Sequence, residues 1–246
     1  MITYGLIGYP LSHSWSAAWF SRKFTGENII EKQYLLFPIE DLCDLPGLIR
    51  NNQDIQGLNV TIPFKERIME FLDETDETAL KIGAVNTISI KRKSGVTIMK
   101  GYNTDAEGFR LSIDFSGFNK ALILGTGGAS KAVAFTLKNL GIDVLFASRN
   151  PVDNSSILYT EITEEIMHSH PLIINTTPLG MFPDITSCPP IPYQFLTECN
   201  FLYDLVYNPP LTIFLNKGSE QGARIQNGEK MLYLQAEESL KIWEDS

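Results

Sequence analysis

The chain has 246 residues, of which 43% are hydrophobic and 20% charged, and its formal net charge is −9. This composition is typical of a globular protein and excludes a disordered chain. The acidic balance argues against nucleic-acid binding, because phosphate contacts require clustered Lys and Arg. No apolar run reaches the roughly 18 residues that a membrane span requires, and the N-terminus lacks the basic flank of a signal peptide, so we expect no membrane partner.

The cysteines and histidines give no sign of a disulfide framework or of a metal site. Cys43, Cys188 and Cys199 are odd in number and form no CxxC pair, so we expect free thiols in a reducing cytoplasm. His168 and His170 have no third ligand nearby in the sequence, and we therefore expect no bound metal.

Strands and helices alternate along most of the chain, which predicts an α/β protein with largely parallel sheets. The first predicted elements are a strand at Ile2 to Gly8, a helix at Trp15 to Phe24, a strand at Gln33 to Phe37, a short helix after Asp41 and a strand at Asp54 to Ile62. Pro63 then favours the start of a helix, because its missing N–H costs little there. Lys65 is therefore predicted in a helical first turn.

A hairpin is predicted next, with strands at Ala84 to Ile90 and Val96 to Lys100 and a turn at Ser94-Gly95. The basic triplet Lys91-Arg92-Lys93 fits a solvated hairpin turn, and a basic docking patch is the alternative. Neither interpretation gives this triplet a part in a catalytic site.

A helix beginning near Thr104 or Asp105 closes the first part of the chain, and the alternation restarts about twenty residues later. The elements predicted there are strands at Ala121 to Leu124, Asp143 to Ala147, Leu172 to Asn175 and Phe201 to Leu205, a helix ending at Leu140, and a last helix at Glu229 to Trp243. This series has the organisation of a nucleotide-binding βαβ unit.

The turn after the first strand of that series reads Gly125-Thr126-Gly127-Gly128-Ala129-Ser130 and leads into a helix. Glycines there permit a tight turn and let the backbone approach a pyrophosphate, while the helix N-terminus supplies unpaired N–H groups. The motif predicts dinucleotide binding, although Ser130 stands where a third glycine is usual. A plain tight turn is the alternative.

The end of the following strand indicates which dinucleotide binds. An acidic residue there would bond the ribose of NAD and repel the extra phosphate of NADP, but the sequence reads Ala147-Ser148-Arg149-Asn150. Arg149 can pair with a 2′-phosphate through two N–H groups, and Ser148 and Asn150 add further donors. We therefore expect NADP(H) as the cofactor; the alternative for Arg149 is a solvent-facing loop charge.

Small polar residues occur near the strand ends of the first hundred residues, where open α/β sheets bind ligands. Alternation places Asn59 and Thr61 on one side of their strand. The others are Ser12, Ser14, Asn86 and Asn103-Thr104-Asp105. Together they suit a small polyhydroxylated acid, but each also has a simpler explanation as a helix cap, a turn residue or an exposed strand face.

Seven segments, taken in order, carry a resemblance to one family. They are Ser12-His13-Ser14, Asn59 to Lys65, Gly83 to Thr87, Gly101 to Asp105, Gly125 to Ser130, Tyr203 to Pro209, and Gly228 to Ala236. Over nearly the whole chain they resemble the shikimate dehydrogenases, and seven ordered matches are far more specific than one glycine turn. The chain reads Ser-Arg-Asn at residues 148–150, where well-known members have Asn-Arg-Thr or Asn-Arg-Ser, and it is somewhat short for the family.

The resemblance implies an α/β protein with an N-terminal αβ substrate-binding domain, residues 1–103 and 228–246, and a Rossmann-like NADP-binding domain, residues 104–227. The C-terminal helix would return to the first domain. The implied reaction is the reversible, NADPH-dependent reduction of 3-dehydroshikimate to shikimate in aromatic amino-acid biosynthesis. The expected protein is a cytoplasmic monomer or homodimer whose partner is a small-molecule substrate.

The same resemblance implies a role for individual residues. Lys65 and Asp105 would be the catalytic pair, and Ser12 and Ser14 would hold the substrate carboxylate. The other residues expected at the substrate are Asn59, Thr61, Asn86, Tyr207 and Gln235. The residues expected at the cofactor are Gly125, Thr126, Gly127, Gly128, Ala129, Ser148, Arg149, Asn150, Gly228 and Met231.

Three other functions remain open from the sequence. A quinate or dual-specificity dehydrogenase would share almost every quoted residue, since quinate differs by a hydroxyl at the carbon that bears the carboxylate. A folate-type methylene dehydrogenase has a related two-domain plan but lacks the Ser12/Ser14 and Asn103-Thr104-Asp105 patterns. A non-catalytic ligand-sensing relative would be expected to lose Lys65 or Asp105, and both are present.

Overall fold

A computed structural model describes residues 1–11, 15–151 and 155–245. The chain divides into two compact units. The first unit comprises residues 1–104 and 236–246, and the second comprises residues 105–235. Each unit contains one six-stranded sheet.

The first unit is built on a mixed sheet. Its strands are β1 (Ile2–Gly8), β2 (Lys32–Pro38), β3 (Ile55–Val60), β4 (Glu74–Thr75), β5 (Thr87–Lys93) and β6 (Val96–Tyr102), in the order β2-β1-β3-β5-β6-β4. Its helices are α1 (Trp15–Gly26), α2 (Leu45–Asn51) and α3 (Glu77–Ile82), with 3₁₀ helices at Leu42–Asp44 and Arg67–Phe71. The predicted strands at the N-terminus are confirmed, whereas β4 and α3 were not predicted.

Two apolar clusters bury the two faces of this sheet. Leu6 of β1 lies in one cluster and Ile7 in the other, as the alternation of side chains along a strand requires. Trp243, near the C-terminus, stacks on Tyr4 with 4.6 Å between ring centroids, and its Nε1 donates to the Ile88 carbonyl at 2.9 Å. Burial of each large apolar side chain stabilises the fold by roughly 1.5–3 kcal/mol, so the end of the chain is firmly held in this unit.

The predicted hairpin is confirmed, and its turn has the expected chemistry. Ser94 and Gly95 both have positive φ, 53° and 80°, as a two-residue type I′ turn requires. Lys91 and Lys93 are exposed as predicted, but Arg92 is half-buried and donates to the carbonyls of Ile55 and Ile49. The triplet is therefore no continuous basic patch.

The helix predicted from Pro63 is wrong. Phe64 N–H donates to the Thr61 carbonyl at 3.0 Å, which closes a four-residue turn with Pro63 in its third position. Lys65 follows in a second turn, and only the 3₁₀ helix at Arg67–Phe71 has helical structure. Proline suits both the start of a helix and a tight turn, and the sequence pattern alone favoured the former.

The second unit is built on a parallel sheet. Its strands are β7 (Lys120–Leu124), β8 (Asp143–Ser148), β9 (Ser156–Leu158), β10 (Leu172–Asn175), β11 (Phe201–Asp204) and β12 (Arg224–Asn227), in the order β9-β8-β7-β10-β11-β12. The remaining helices are α4 (Thr104–Ser112), α5 (Gly128–Asn139), α6 (Glu164–Ser169), α7 (Ile213–Glu220) and α8 (Glu229–Glu244), with 3₁₀ helices at Tyr159–Glu161 and Tyr193–Phe195. Helices α4 and α8 each have residues in both units.

This strand order is that of a Rossmann-like fold. The chain runs outward from β7 to β9 on one side and from β10 to β12 on the other, so the order reverses between β7 and β10. Ligands of such sheets bind outside the carboxyl ends of the strands at this reversal point. The predicted series of strands and helices is confirmed, while the short elements β9, β12, α6 and α7 were not predicted.

Three further observations bear on function. Within residues 1–11, 15–151 and 155–245, no helix is long and apolar enough to cross a membrane. The same residues include no group of three or more His, Cys, Asp or Glu side chains that could hold a metal ion. The three cysteines are free thiols, and Cys43 and Cys199 are exposed.

Candidate active site

In the first unit, the segment Val85-Asn86 holds several candidate residues through backbone hydrogen bonds. Val85 N–H donates to the Lys65 carbonyl at 2.7 Å, and Asn86 N–H donates to the Tyr102 carbonyl at 3.0 Å. The Asn86 carbonyl in turn accepts from Val60 N–H at 2.8 Å. The end of β3, the end of β6 and the turn that carries Lys65 are thus fixed to one segment.

The side chain of Asn86 fixes the start of helix α4. Its Oδ1 accepts from the Thr104 N–H at 2.7 Å, so it satisfies a backbone donor at the helix N-terminus that has no partner within the helix. Beside it, Asn103 Nδ2 donates to the Ala84 carbonyl at 2.9 Å. Asp105, the next residue of the helix, is 7% exposed.

Asn59 lies in the centre of a buried amide network, defined as Tyr34, Asn59, Thr87, Thr104 and Ser239. Its Oδ1 accepts from the Tyr34 hydroxyl at 2.9 Å, and its Nδ2 donates to Ser239 Oγ at 2.9 Å and to Thr87 Oγ1 at 3.1 Å. Ser239 Oγ also lies 3.2 Å from Thr104 Oγ1. Burial raises the pKa of Tyr34, so the phenol stays a neutral donor.

The remaining substrate candidates of the first unit are less buried. Thr61 directly follows β3, where its N–H donates to the Ile7 carbonyl at 3.0 Å, and its side chain is half-buried. Lys65 is also half-buried. Ser12 and Ser14 lie outside the described residues.

In the second unit, the glycine turn has the geometry that dinucleotide binding requires. Gly125 has a φ of +105°, which side chains rarely adopt, and its N–H donates to the Ala147 carbonyl at 2.8 Å. Thr126 and Gly127 are exposed, and a Cβ added to Gly127 would meet no atom within 4 Å. Helix α5 starts at Gly128, directly after the exposed Gly127, and a helix N-terminus favours an anion.

The end of β8 lies beside this turn. Ser148 is buried, and its Oγ lies 3.5 Å from Thr126 Oγ1 and accepts from the Asn150 N–H at 3.1 Å. Arg149 is exposed. Burial raises the pKa of Tyr159, and the charge of Arg149 opposes that rise. An exposed guanidinium is accessible to an anionic ligand.

The remaining candidates lie on the loop after β11 and on helix α8. Gly228 N–H donates to the Val206 carbonyl at 3.3 Å, and a Cβ on Gly228 would collide with the backbone of Leu205. Tyr207, next to Val206, is half-buried, and burial raises its pKa. The segments around Tyr207 and Gly228 are therefore in contact.

Within the second unit, helix α8 is packed closely against α4. Met231 is buried in the apolar cluster that includes Phe109 and Tyr203. A Cβ on Gly108 would lie 2.9 Å from the Met231 carbonyl and 3.0 Å from Gln235 Cβ, so this contact requires glycine. Gln235 Nε2 donates to the Leu232 carbonyl at 2.9 Å.

Two buried residues at the same edge of this sheet were assigned no role from the sequence. Asn175 ends β10 and Asp204 ends β11, and Asn175 Nδ2 donates to Asp204 Oδ1 at 2.9 Å. Burial raises the pKa of Asp204 to about 6, against the lowering effect of its hydrogen-bond donors. Polar residues at strand ends were the signal that identified Asn59, and the same signal occurs here.

Comparisons with known proteins extend this description. The family model for the shikimate dehydrogenase substrate binding domain matches residues 6–88. Over 260 residues the chain is 36% identical to a shikimate dehydrogenase (NADP(+)) of Methanosphaera stadtmanae, covering 97% of this chain and 90% of that one. The chain belongs to the shikimate dehydrogenase family.

Solved structures of the shikimate dehydrogenase family share the whole fold. Shikimate dehydrogenase 1 from Peptoclostridium difficile matches with a TM-score of 0.86 and 38% identity, covering 100% of this chain and 92% of that one. The Thermus thermophilus enzyme, described as a complex with NADP(H) and shikimate, matches with a TM-score of 0.84 and 30% identity, covering 100% of this chain and 94% of that one. The predicted family and the two-sheet α/β fold are confirmed.

Proposed function

We propose that the protein is an NADP-dependent shikimate dehydrogenase that reversibly reduces 3-dehydroshikimate to shikimate in aromatic amino-acid biosynthesis. It would act in the cytoplasm, as a monomer or homodimer. Membership of the family supports this reaction. The observation that carries it is the Asn86 segment, which is hydrogen-bonded both to the turn of Lys65 and to Thr104, the residue before Asp105.

In this proposal residues 1–103 and 228–246 form the substrate-binding domain and residues 104–227 form the NADP-binding domain. Ser12 and Ser14 hold the substrate carboxylate through their hydroxyls. The residues that face or position the ring hydroxyls of the substrate are Asn59, Thr61, Asn86, Tyr207 and Gln235. Because Asn59 is 6% exposed and uses its amide within the buried amide network, its part is to hold that network in place.

The chemical step in this proposal is shared between Lys65 and Asp105. The Lys65 ammonium donates a proton to the carbonyl oxygen of 3-dehydroshikimate and stabilises the alkoxide that develops there. Asp105 accepts hydrogen bonds from Lys65 and from a substrate hydroxyl, which orients both groups. In the reverse direction Lys65 takes the proton back. When bound, the nicotinamide cofactor supplies or accepts the hydride.

The residues that would hold NADP(H) lie at the carboxyl edge of the second sheet. Backbone N–H groups of the turn Gly125 to Ala129 bind the pyrophosphate, aided by the N-terminus of helix α5. Arg149 pairs with the 2′-phosphate, and Ser148 and Asn150 add donors. Gly228 and Met231 lie beside the nicotinamide ring and help to exclude water.

The test is an initial-rate assay with purified protein on shikimate and on quinate, each with NADP and with NAD. We expect the highest kcat/KM with shikimate and NADP. Comparable values for quinate would make the protein a dual-specificity enzyme. Binding of shikimate without turnover under any of the four conditions would identify a ligand-sensing relative and contradict the proposal.

A further inference from the structure

A buried polar cluster lies beneath the glycine turn of the second unit. The carboxyl-edge cluster comprises Asn175, Thr177, Asp204 and Thr212, of which Asn175 and Asp204 are 0% exposed. Asp204 Oδ1 accepts from Asn175 Nδ2 at 2.9 Å and from the Val206 N–H at 3.0 Å, and Asp204 Oδ2 accepts from Thr212 Oγ1 at 2.6 Å. Three donors from three segments thus converge on one carboxylate.

The carboxylate accepts from the Asn175 amide and favours one of its two orientations. An ionised carboxylate only accepts hydrogen bonds, so the Nδ2 of Asn175 must face it. The Oδ1 of Asn175 therefore points the other way, where it accepts from Thr177 N–H at 3.0 Å and from Thr177 Oγ1 at 2.6 Å. Two backbone groups favour the same orientation, because the Thr177 N–H can only donate to Oδ1 and the Leu179 carbonyl, 3.4 Å from Nδ2, can only accept. The charge of Asp204 strengthens this orientation.

Asn175 in turn fixes the segment that touches the glycine turn. The neighbouring Thr176 donates from both its N–H and its Oγ1 to the Leu124 carbonyl, at 3.0 and 2.7 Å. A Cβ on Gly125 would lie 2.9 Å from Thr177 Cγ2, so the two segments are in close contact. The position of Thr177 therefore limits where the turn can lie.

We propose that Asp204 is a positioning residue for dinucleotide binding, which acts through Asn175 and Thr177 on the Gly125 turn. The inference rests on the proposed binding of NADP to the second unit. Asp204 itself is fully buried and touches no ligand in this account. Its role differs from that of Arg149, which would bind NADP directly.

The surroundings of Asp204 make this role dependent on pH. The titratable groups that respond to its charge are Tyr193 and Tyr203, whose pKa values are raised mainly by burial and which therefore stay neutral. Because burial raises the pKa of Asp204 to about 6, the carboxylate is ionised at pH 8 and protonated at pH 5. Protonation removes the charge and so weakens the hydrogen bond that Asp204 accepts from Asn175 Nδ2.

The test measures the dissociation constant for NADP by titration calorimetry in wild type, Asp204→Ala and Asp204→Asn. At pH 8 we expect Asp204→Ala to weaken NADP binding about tenfold. Asn175, which acts on the Gly125 turn through Thr177, then loses a hydrogen bond to a charged group. Asp204→Asn should weaken binding less. As the pH falls to 5, the ratio between Asp204→Asn and wild type should approach one, since both side chains are then neutral.

Two controls separate positioning from general damage. Asn200 is 1% exposed at the opposite end of β11, where its Nδ2 donates to the Met167 carbonyl at 3.0 Å. Asn200→Ala should lower the thermal midpoint without changing the dissociation constant for NADP. The 2′-phosphate also titrates near pH 6, but its effect cancels in the ratio between variants.

The outcomes separate failure of the positioning role from failure of the proposed function. A ratio for Asp204→Asn that stays constant between pH 8 and 5, or an equal loss in Asn200→Ala, overturns the positioning role and leaves the proposed function intact. If Asp204→Ala fails to fold, the pH dependence of the Asp204→Asn ratio alone decides the question. If wild type does not bind NADP, both the positioning role and the proposed function are overturned.

Discussion

The two units place different chemistry at the carboxyl ends of their strands. In the first unit, Asn59, Asn86 and their partners form a network of neutral amides and hydroxyls. In the second, an exposed glycine turn lies above the buried carboxyl group of Asp204. In the first unit, neutral side chains that hydrogen-bond to one another lie where a ligand rich in hydroxyls would bind. In the second unit, the exposed backbone of the glycine turn lies where phosphates would bind.

The largest expected effect concerns Lys65, the proposed proton donor of the first unit. Lys65→Ala should lower kcat for shikimate oxidation at least about a hundredfold, or roughly 3 kcal/mol, because a positioned proton donor is lost. The thermal midpoint should change little, since Lys65 is only half-buried. The matched control is Lys81→Ala, whose exposed ion pair with Glu77 contributes little. Unchanged turnover in folded Lys65→Ala would remove Lys65 from the mechanism.

The second prediction concerns the buried amide network. Asn59→Ala should lower the free energy of unfolding by about 2–4 kcal/mol, because the Tyr34 hydroxyl and Ser239 lose a buried partner and a cavity remains. Urea unfolding at pH 7 measures the difference. The exposed Asn51→Ala should stay within about 0.5 kcal/mol of wild type. Equal effects of the two substitutions would contradict a structural role for the network.

The third prediction concerns Arg149, which directly follows β8 in the second unit. Arg149→Ala should weaken NADP binding about tenfold to a hundredfold and leave NAD binding nearly unchanged, since only NADP carries the 2′-phosphate. Titration calorimetry with both cofactors gives the comparison. Arg50→Ala, an exposed arginine of α2, is the control and should affect neither cofactor. Equal losses of NADP and NAD in Arg149→Ala would refute the 2′-phosphate assignment.

The smallest expected effect concerns the cost of burying Asp204. Its pKa is about 6 in the folded protein against an ordinary value of 3.8, so between these values the folded state holds a proton that the unfolded state has lost. Wild type should therefore gain about 1 kcal/mol of stability relative to Asp204→Asn as the pH falls from 7 to 5. Urea unfolding of both proteins at each pH measures this. Parallel profiles would show that Asp204 does not titrate in this range.

Much of the second unit could be predicted from the sequence because its signals are local. The glycine turn stands directly between strand and helix, and Arg149 directly follows the next strand. The strands β9 and β12 have three and four residues and are too short for a clear periodicity.

The first unit shows where local patterns fail. Pro63 lies in a turn closed by a hydrogen bond from Phe64 to Thr61, although the residues after it are spaced as in a helix. Ser239 meets Asn59 across 180 positions, and no sequence spacing predicts that contact. Polar residues at strand ends predicted candidate positions, but whether each one contacts a ligand or supports a neighbour depends on burial, which is a tertiary property.

The most direct test of the proposed function is a crystal structure of the protein with shikimate and NADP, in which the position of Lys65 Nζ is measured. The account predicts Nζ within about 3.2 Å of the hydroxyl that becomes the ketone, and within the same distance of an Asp105 carboxylate oxygen. Shikimate bound with Lys65 beyond hydrogen-bond reach of that hydroxyl would contradict the catalytic pair.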